Sequence, residues 1–441
     1  MRPALLLALL LLPLYAQAQS DVDGHWEGAF IHEGAAQRTA FAFTTQGDTL
    51  AGRWWMPEWN TAGLLREVRF HDDTLRFTRP HGEAALWLDR TTGELIGVSV
   101  EEGEPTLGLH LKRTLRPARP PVREENVTFS NGPVTLEGTL LLPDRPGPHP
   151  AFVTLHGRGP SERGWLYDVA LKAAERGVAA LIYDKRGSGA STGDLDAATM
   201  ADLASDAFEA LAVLASHPAI DTEQIGLYGS SAGGWLASYV AARSPHPIAF
   251  VATTVGPAES VYDQQLHVTE YWMRWSGTTF TEEEYAAAEA QMRRVMDLAY
   301  TGEGLEAIRE ANETIRDLRW AEYVVLPDSL DDPEVSWYRR HRYDPAEDLR
   351  RLAVPVLALY GGRDFIVPPE ENVPKLRRYL AEAANDDVTI RVYPEADHGM
   401  WLAGQTRTIS DGPDRYYQFG RYTPYVTDFI EWLIDTVEVA E

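Results

Sequence analysis

One serine in the chain stands in a pattern that can turn it into a nucleophile. Ser231 lies in the Gly-Ser-Ser-Ala-Gly pentapeptide at 229–233, with glycine two residues before it and two residues after it. These glycines leave room for a very tight turn that lifts the hydroxyl group out of the chain. Ser230 lacks such a pair, because tyrosine and alanine stand at the same spacing. The pattern therefore predicts acyl transfer through a covalent intermediate on Ser231.

A serine nucleophile needs a base to accept its proton and an acid to orient that base. Where the nucleophile sits in a strand–turn–helix, the acid and the base follow it in that order, on loops after later strands. Asp364 and His398 each follow a predicted strand in this order, so we predict Asp364 as the acid and His398 as the general base. Glu395 and Asp397 are rival acids, but residues so close in sequence cannot easily fold back onto the same imidazole.

The tetrahedral intermediate of acyl transfer also needs two hydrogen-bond donors for its oxyanion. We predict the backbone N–H of Ala232, at the start of a helix, and the backbone N–H of Arg158, in the His-Gly-Arg-Gly loop at 156–159. His156 and the Arg158 side chain could instead contact substrate, but shaping the loop is the simpler role. The glycine-rich run at 184–189 lacks the spacing of a phosphate loop and is interpreted as a structural turn. Since the donors are backbone amides, we expect neither a metal nor a cofactor.

Strands and helices alternate around these residues, which predicts a mostly parallel sheet with helices on both faces. A hairpin at 126–130 and 134–142 opens this part of the chain. Residues 256–344 break the alternation, and a Thr281–Glu284 capping box there predicts a helix over Glu282–Ala299. We interpret 256–344 as a helical lid inserted over the sheet. The other predicted elements are strands at 151–155, 178–183, 225–228, 248–255, 354–360 and 388–393, and helices at 165–176, 200–216, 232–244, 373–384 and 426–437.

From Val122 to its end, the chain resembles the α/β-hydrolase superfamily. More narrowly, it is similar to the dienelactone-hydrolase and prolyl-oligopeptidase-like branch, which includes bacterial exported esterases and peptidases. The resemblance implies an α/β-hydrolase fold for 122–441, with Ser231 as nucleophile, His398 as general base and acid, and Asp364 as its orienting partner. The motifs are specific for the fold and the triad and not for the substrate. They are His156-Gly157-x-Gly159, Asp184-x-Arg186-Gly187-x-Gly189, Gly229-x-Ser231-x-Gly233, Asp364 and Asp397-His398-Gly399.

Residues 21–114 have a different character, with eight short alternating segments and no helical stretch. This pattern predicts a small all-β domain, either an antiparallel barrel or a sandwich. A proline-rich linker at 115–121 separates it from the rest of the chain. Its tryptophans could form a platform for a ligand, but filling a small core is the favoured interpretation. They are Trp26, Trp54, Trp55, Trp59 and Trp87.

The first residues have the parts of a secretory signal peptide: Arg2, an apolar run at Ala4–Leu14 and an Ala-x-Ala site that ends at Ala18. We expect cleavage after Ala18 and export to the periplasm or the medium. The run is shorter than a membrane span, and no later segment is long and apolar enough to form one. The sequence contains no cysteine, which excludes disulfides and thiolate sites. Its net charge of −26 argues against a nucleic-acid partner.

These observations favour a secreted serine hydrolase that cleaves a small-molecule acyl ester. A peptidase of the prolyl-oligopeptidase-like kind is the alternative, although the region at 21–114 is too short for the β-propeller that such enzymes usually carry. A thioesterase is chemically close and stays open. A non-enzymatic binding protein is disfavoured, because the predicted triad is intact. Whether the chain acts as a monomer or a homodimer also stays open.

Overall fold

A computed structural model describes residues 20–32, 35–56, 61–79, 82–101, 104–115, 122–400 and 423–439. The chain forms two compact units, and the main division falls between Pro117 and Ala118. The predicted signal peptide at 1–18, the linker residues 116–121 and Trp59 lie outside the described residues.

The first unit is a closed barrel of eight antiparallel strands. Each strand neighbours the next one in sequence, and β1 closes the barrel by pairing with β8. The structure thus confirms the eight-stranded all-β prediction and selects the barrel over the sandwich. The strands are β1 (Gly24–His32), β2 (Ala35–Gln46), β3 (Thr49–Met56), β4 (Thr61–His71), β5 (Thr74–Arg79), β6 (Gly82–Asp89), β7 (Glu94–Glu101) and β8 (Glu104–Thr114).

Aromatic side chains form much of the buried core of the barrel. Phe41 and Phe43 are buried and stacked, with ring centroids 6.1 Å apart. An eight-stranded barrel has an interior just wide enough to be filled by side chains. Trp26 and Trp55 are buried as well, whereas Trp87 is 53% exposed. Two of the tryptophans therefore belong to the core, as the favoured interpretation predicted.

The second unit is built on an eight-stranded sheet in the order β16-β15-β14-β13-β11-β12-β10-β9. The hairpin β9–β10 is antiparallel, β10 is antiparallel to β12, and the other strands are parallel. Every residue of β11, β12 and β15 is buried, as expected for a sheet covered on both faces. The strands are β9 (Val122–Asn131), β10 (Val134–Pro143), β11 (His149–Leu155), β12 (Ala179–Tyr183), β13 (Ile220–Ser230), β14 (Val251–Thr254), β15 (Val356–Gly361) and β16 (Val388–Tyr393).

Helices complete this unit and give the α/β-hydrolase arrangement that the resemblance implied. Five of them, α4 to α8, lie between β14 and β15, and the predicted Thr281–Glu284 capping box opens α5. Two short 3₁₀ helices lie at Arg163–Leu166 and Ala321–Tyr323. The α-helices are α1 (Tyr167–Glu175), α2 (Met200–Ser216), α3 (Ala232–Arg243), α4 (Val261–Trp275), α5 (Glu282–Thr301), α6 (Leu305–Ile315), α7 (Pro333–Arg340), α8 (Ala346–Leu349), α9 (Pro369–Glu382) and α10 (Tyr425–Thr436).

The start of α9 was predicted wrongly. The sequence predicted a helix from Val373, but α9 begins at Pro369 and contains a second proline, Pro374. Proline is tolerated at the first helical position, because the N–H that it lacks has no acceptor there. Within the described residues, none of the helices is long and apolar enough to cross a membrane.

Candidate active site

Ser231 stands at the sharp turn between β13 and α3. Its backbone has φ 53° and ψ −124°, a conformation that residues with a Cβ atom rarely adopt. The two glycines around it make the turn possible. A Cβ atom on Gly229 would lie 2.2 Å from the carbonyl oxygen of Gly233, so no larger residue fits there without a shift of the backbone. The chain thus presents the Ser231 hydroxyl group at the edge of the sheet.

The structure brings the three residues of the predicted triad together. Nε2 of His398 lies 2.9 Å from Oγ of Ser231, and Nδ1 lies 2.8 Å from Oδ2 of Asp364. Asp364 is fully buried, and its Oδ1 accepts hydrogen bonds from the N–H groups of Ile366 and Val367 at 2.8 and 2.9 Å. Because the Asp364 carboxylate can only accept, Nδ1 donates to it, and Nε2 is left to accept a proton from Ser231.

The loops that carry the acid and the base meet at the ends of β15 and β16. A Cβ atom on Gly361 would lie 2.4 Å from the carbonyl oxygen of Asp397, so glycine permits this approach. The rival acid Glu395 is 65% exposed at its side chain and pairs with Arg363 at 3.5 Å. Asp397 accepts a hydrogen bond from the N–H of Gly399. Asp364 is therefore the carboxylate that the fold places against the imidazole.

Both predicted oxyanion donors line the cavity that contains Ser231. Ala232 is the first residue of α3, and the first N–H groups of a helix have no acceptor inside it. Arg158 follows Gly157, whose backbone lies against the nucleophile. A Cβ atom on Gly157 would lie 3.3 Å from Cβ of Ser231. The arrangement can stabilise a negative oxygen that forms beside Ser231.

Side chains of the 156–159 loop tie it to the rest of the unit. Nη2 of Arg158 lies 2.6 Å from Oε1 of Glu334, and the guanidinium group lies 4.2 Å from the ring centroid of Trp337, both on α7. His156 is buried, and its Nε2 donates to the carbonyl oxygen of Tyr183 at 2.6 Å. Burial lowers the pKa of His156 to about 4, so the ring is neutral. These contacts shape the loop.

The cavity beside Ser231 has a volume of about 770 Å³. Residues of α4 and α7, including Trp272 and Trp337, line it together with Trp165 of the first 3₁₀ helix and Phe365 of the loop after β15. Trp272 stacks on Phe365, with ring centroids 6.3 Å apart. Neither Trp165 nor Phe365 was predicted as a site residue from the sequence. Phe365 could have been found, because it directly follows the predicted acid, whereas no motif marks Trp165.

One group of side chains among the described residues has the spacing of metal ligands: Glu259, His267 and Glu371. Lys375 forms ion pairs with both carboxylates of this group. The ammonium group of Lys375 supplies the positive charge that a metal ion would otherwise supply. None of these residues is among those that line the cavity around Ser231. The group is accounted for as an ion-pair cluster between α4 and α9.

Comparison with known proteins gives one family match and several relatives. The family model described as X-Pro dipeptidyl-peptidase (S15 family) matches residues 131–383. Esterase EstD of Thermotoga maritima is 24% identical over 380 residues, which cover 84% of this chain and 81% of that protein. Thiohydrolase aneE of Aspergillus aculeatus is 22% identical over 315 residues, which cover 64% of this chain and 89% of that protein.

Solved structures of hydrolases are also similar to this chain. The 2,6-dihydroxy-pseudo-oxynicotine hydrolase matches with a TM-score of 0.44 and 18% identity, over 72% of this chain and 68% of that chain. A proline iminopeptidase from Mycobacterium smegmatis matches with a TM-score of 0.44 and 18% identity, over 71% of this chain and 98% of that chain.

Proposed function

This chain belongs to the X-Pro dipeptidyl-peptidase (S15) family of α/β-hydrolases, and we propose that it hydrolyses carboxylic esters through an acyl-enzyme on Ser231. One observation carries the proposal: the hydrogen-bonded chain from Asp364 through His398 to Ser231, with distances of 2.8 and 2.9 Å. Such a series of hydrogen bonds lets His398 take the hydroxyl proton of Ser231 while Oγ attacks a carbonyl carbon. The relation to an esterase over most of both chains supports esters as the substrate class.

The proposed reaction has two halves. Oγ of Ser231 attacks the ester carbonyl while His398 takes its proton, and the oxyanion forms beside the N–H groups of Ala232 and Arg158. Asp364 stabilises the imidazolium, which then gives its proton to the departing alkoxide. Water attacks the acyl-enzyme in the second half, again with His398 as base, and releases the acid and free Ser231.

The lining of the cavity supports acyl or aryl groups of modest size as the part of the substrate that it binds. Its volume falls within the range of about 300–1,000 Å³ that is typical of small-molecule sites. The rings of Trp272, Phe365 and Trp337 offer flat apolar surface to such groups. Because α4 and α7 supply two of these rings, we assign the helical segment at 256–344 the role of a lid.

A serine peptidase is the second candidate, and the family match is the observation that favours it. A peptidase that releases residues from a peptide amino terminus needs an acidic group near the nucleophile to bind the ammonium group. Among the described residues that line the cavity, none is an aspartate or a glutamate. This absence favours the ester over the peptide as substrate.

The direct test compares p-nitrophenyl esters of short and medium acyl chains with aminoacyl and prolyl anilides and with acyl thioesters. The same purified protein is used throughout, and Ser231→Ala serves as the blank. Ester turnover with silent anilides is the expected result, because few esterases cleave amides. Anilide turnover equal to ester turnover would make the protein a peptidase, and a preference for thioesters would make it a thioesterase.

We also propose that the protein is exported after cleavage behind Ala18. The basic Arg2, the apolar run Ala4–Leu14 and the Ala-x-Ala site support this proposal. Amino-terminal sequencing of protein secreted by a bacterial host should give a chain that starts at Gln19. A chain that keeps Met1 and stays in the cytoplasm would contradict it.

A further inference from the structure

Lys185 is a buried lysine beneath the loop that carries Arg158. Its Nζ donates to the carbonyl oxygen of Gly157 at 2.9 Å and to that of Gly159 at 3.2 Å. Its own backbone N–H donates to the carbonyl oxygen of Ser161 at 3.0 Å. Only 7% of the residue is exposed. Lys185 therefore fixes the position of the loop through three hydrogen bonds.

One of these hydrogen bonds fixes the direction of the predicted oxyanion donor. The carbonyl group of Gly157 and the N–H of Arg158 belong to the same peptide unit. In a planar trans peptide these two groups point in opposite directions. Because the carbonyl oxygen faces Lys185, the N–H of Arg158 faces the opposite side of the loop. Gly157 and Arg158 line the cavity of Ser231, whereas Lys185 lines a second cavity of about 360 Å³, to which Arg158 also contributes.

The charge of Lys185 adds to this effect. Among the described residues, no carboxylate forms an ion pair with Lys185, so its charge is not neutralised locally. An ammonium group bound to a carbonyl oxygen polarises the peptide and makes the N–H of the same unit a stronger donor. Burial of a cation without an acidic partner is costly, and such groups cluster at functional sites.

We propose that Lys185 is a positioning residue for the oxyanion site, where its ammonium group orients and polarises the Gly157–Arg158 peptide. The N–H of Arg158 then stabilises the oxyanion more strongly in the transition state than the carbonyl group of the bound substrate. The inference rests on the proposed function. It also gives a role to the turn at 184–189, whose Asp184 accepts a hydrogen bond from the N–H of Arg163 at 2.8 Å.

Three variants separate this role from simple support of the loop. Lys185→Met keeps most of the length of the side chain but loses its charge and hydrogen bonds, and Lys185→Arg keeps the charge. Lys172→Met, on α1, is the control for loss of a lysine elsewhere. With p-nitrophenyl esters we expect Lys185→Met to lower kcat by about 10- to 100-fold, less than or equal to the loss of a whole oxyanion donor. KM should change little, and Lys185→Arg should retain more activity than Lys185→Met.

A transition-state analogue gives a second readout. Trifluoromethyl ketones form a tetrahedral adduct with an active-site serine and place an oxyanion in the same position as the substrate does. Their inhibition constant should rise in Lys185→Met by about the factor by which kcat/KM falls, whereas the affinity for the product acid should not follow. Lys172→Met should match the wild type in all of these measurements.

The pH profile tests the charge itself. Burial, together with the nearby charge of Arg158, lowers the pKa of Lys185 to about 8. The ammonium group is charged below this pKa and loses its proton as the pH rises through it, so kcat of the wild type should fall on the alkaline side. Lys185→Arg stays charged and should lack this fall. The other ionisable groups that face Lys185 or line its cavity are His156, Asp184, Asp196, Asp331, Glu334, Arg340 and His341.

Each outcome decides the inference. Unchanged kcat in Lys185→Met, equal losses of kcat in Lys185→Met and Lys185→Arg, or an alkaline fall of kcat that persists in Lys185→Arg would overturn it. If Lys185→Met does not fold, as judged by thermal unfolding, the pH profiles of the wild type and Lys185→Arg decide alone. A wild type without ester hydrolysis that depends on Ser231 would instead refute the proposed function.

Discussion

A Cβ atom on Gly233 would lie 2.2 Å from the carbonyl oxygen of Leu155. Leu155 is the last residue of β11, directly before the loop that carries Arg158, and Gly233 is in the first turn of α3 after Ser231. The missing side chain therefore lets the nucleophile turn and the oxyanion loop approach each other. The predicted nucleophile turn and the predicted oxyanion loop are far apart in sequence, and both depend on this close approach.

Gly233→Ala should consequently damage both stability and turnover. The added methyl group meets backbone atoms that cannot move aside easily, so we expect a loss of about 1–3 kcal/mol in the free energy of unfolding. Ester turnover should fall by at least about tenfold, since a misaligned nucleophile need raise the activation free energy by only about 1.4 kcal/mol to cause such a loss. Urea unfolding and p-nitrophenyl ester assays measure the two effects.

Gly108→Ala on β8 is the matched control, because a Cβ atom there would make an ordinary contact at 3.4 Å with the carbonyl oxygen of Ile31. It should leave ester turnover unchanged. A Gly233→Ala protein with the stability and activity of the wild type would show that the close approach is not needed.

Trp272→Ala should change the choice of acyl group. The ring of Trp272 stacks on Phe365 at the cavity wall. Its removal takes away apolar contact surface, so we expect KM for medium-chain and aryl esters to rise by about tenfold and KM for acetyl esters to change less. Trp87→Ala, at an exposed tryptophan of the barrel, is the control. Equal effects on short and long esters would place the acyl group elsewhere.

Asp206→Ala should destabilise the hydrolase unit strongly. Asp206 accepts two hydrogen bonds from the guanidinium group of Arg186, at 2.6 and 2.7 Å, and both residues are buried. Loss of the carboxylate leaves a buried charge without its partner, which costs about 3–5 kcal/mol.

The matched control is Glu289→Ala, which breaks the exposed pair with Arg293 on α5. Surface pairs of this kind contribute about 1 kcal/mol or less. Urea unfolding of both variants gives the comparison. Equal losses of unfolding free energy in the two variants would mean that burial does not determine how much the Arg186–Asp206 pair contributes to stability.

The order of residues in the chain was enough to predict which side chains meet at the site. Ser231, Asp364 and His398 each follow a strand. The carboxyl ends of parallel strands lie at the same edge of the sheet, so the positions of these residues after their strands predict that they lie close together. The capping box at Thr281 likewise marked the start of α5, because its two hydrogen bonds are local.

Contacts between segments that are distant in the sequence could not be predicted from it. The alternation of the first eight strands is the same in a barrel and in a sandwich, and only the pairing of β1 with β8 distinguishes them. Lys185 carried no motif of its own, since its partners are carbonyl oxygens of a loop in another part of the chain. Trp165 was missed for the same reason, because the cavity that it lines forms only in the folded unit.

The central claim, that Ser231 is a nucleophile activated by His398 and Asp364, is tested most directly by reaction with a fluorophosphonate. Mass spectrometry of the intact protein and of its peptides should show one adduct, located on Ser231. Ser231→Ala should not react, and His398→Ala should react slower by several orders of magnitude, with Asp364→Ala less affected. Glu395→Gln, a change at the exposed rival acid, should label like the wild type. An unlabelled wild type, or an adduct on another residue, would contradict the account.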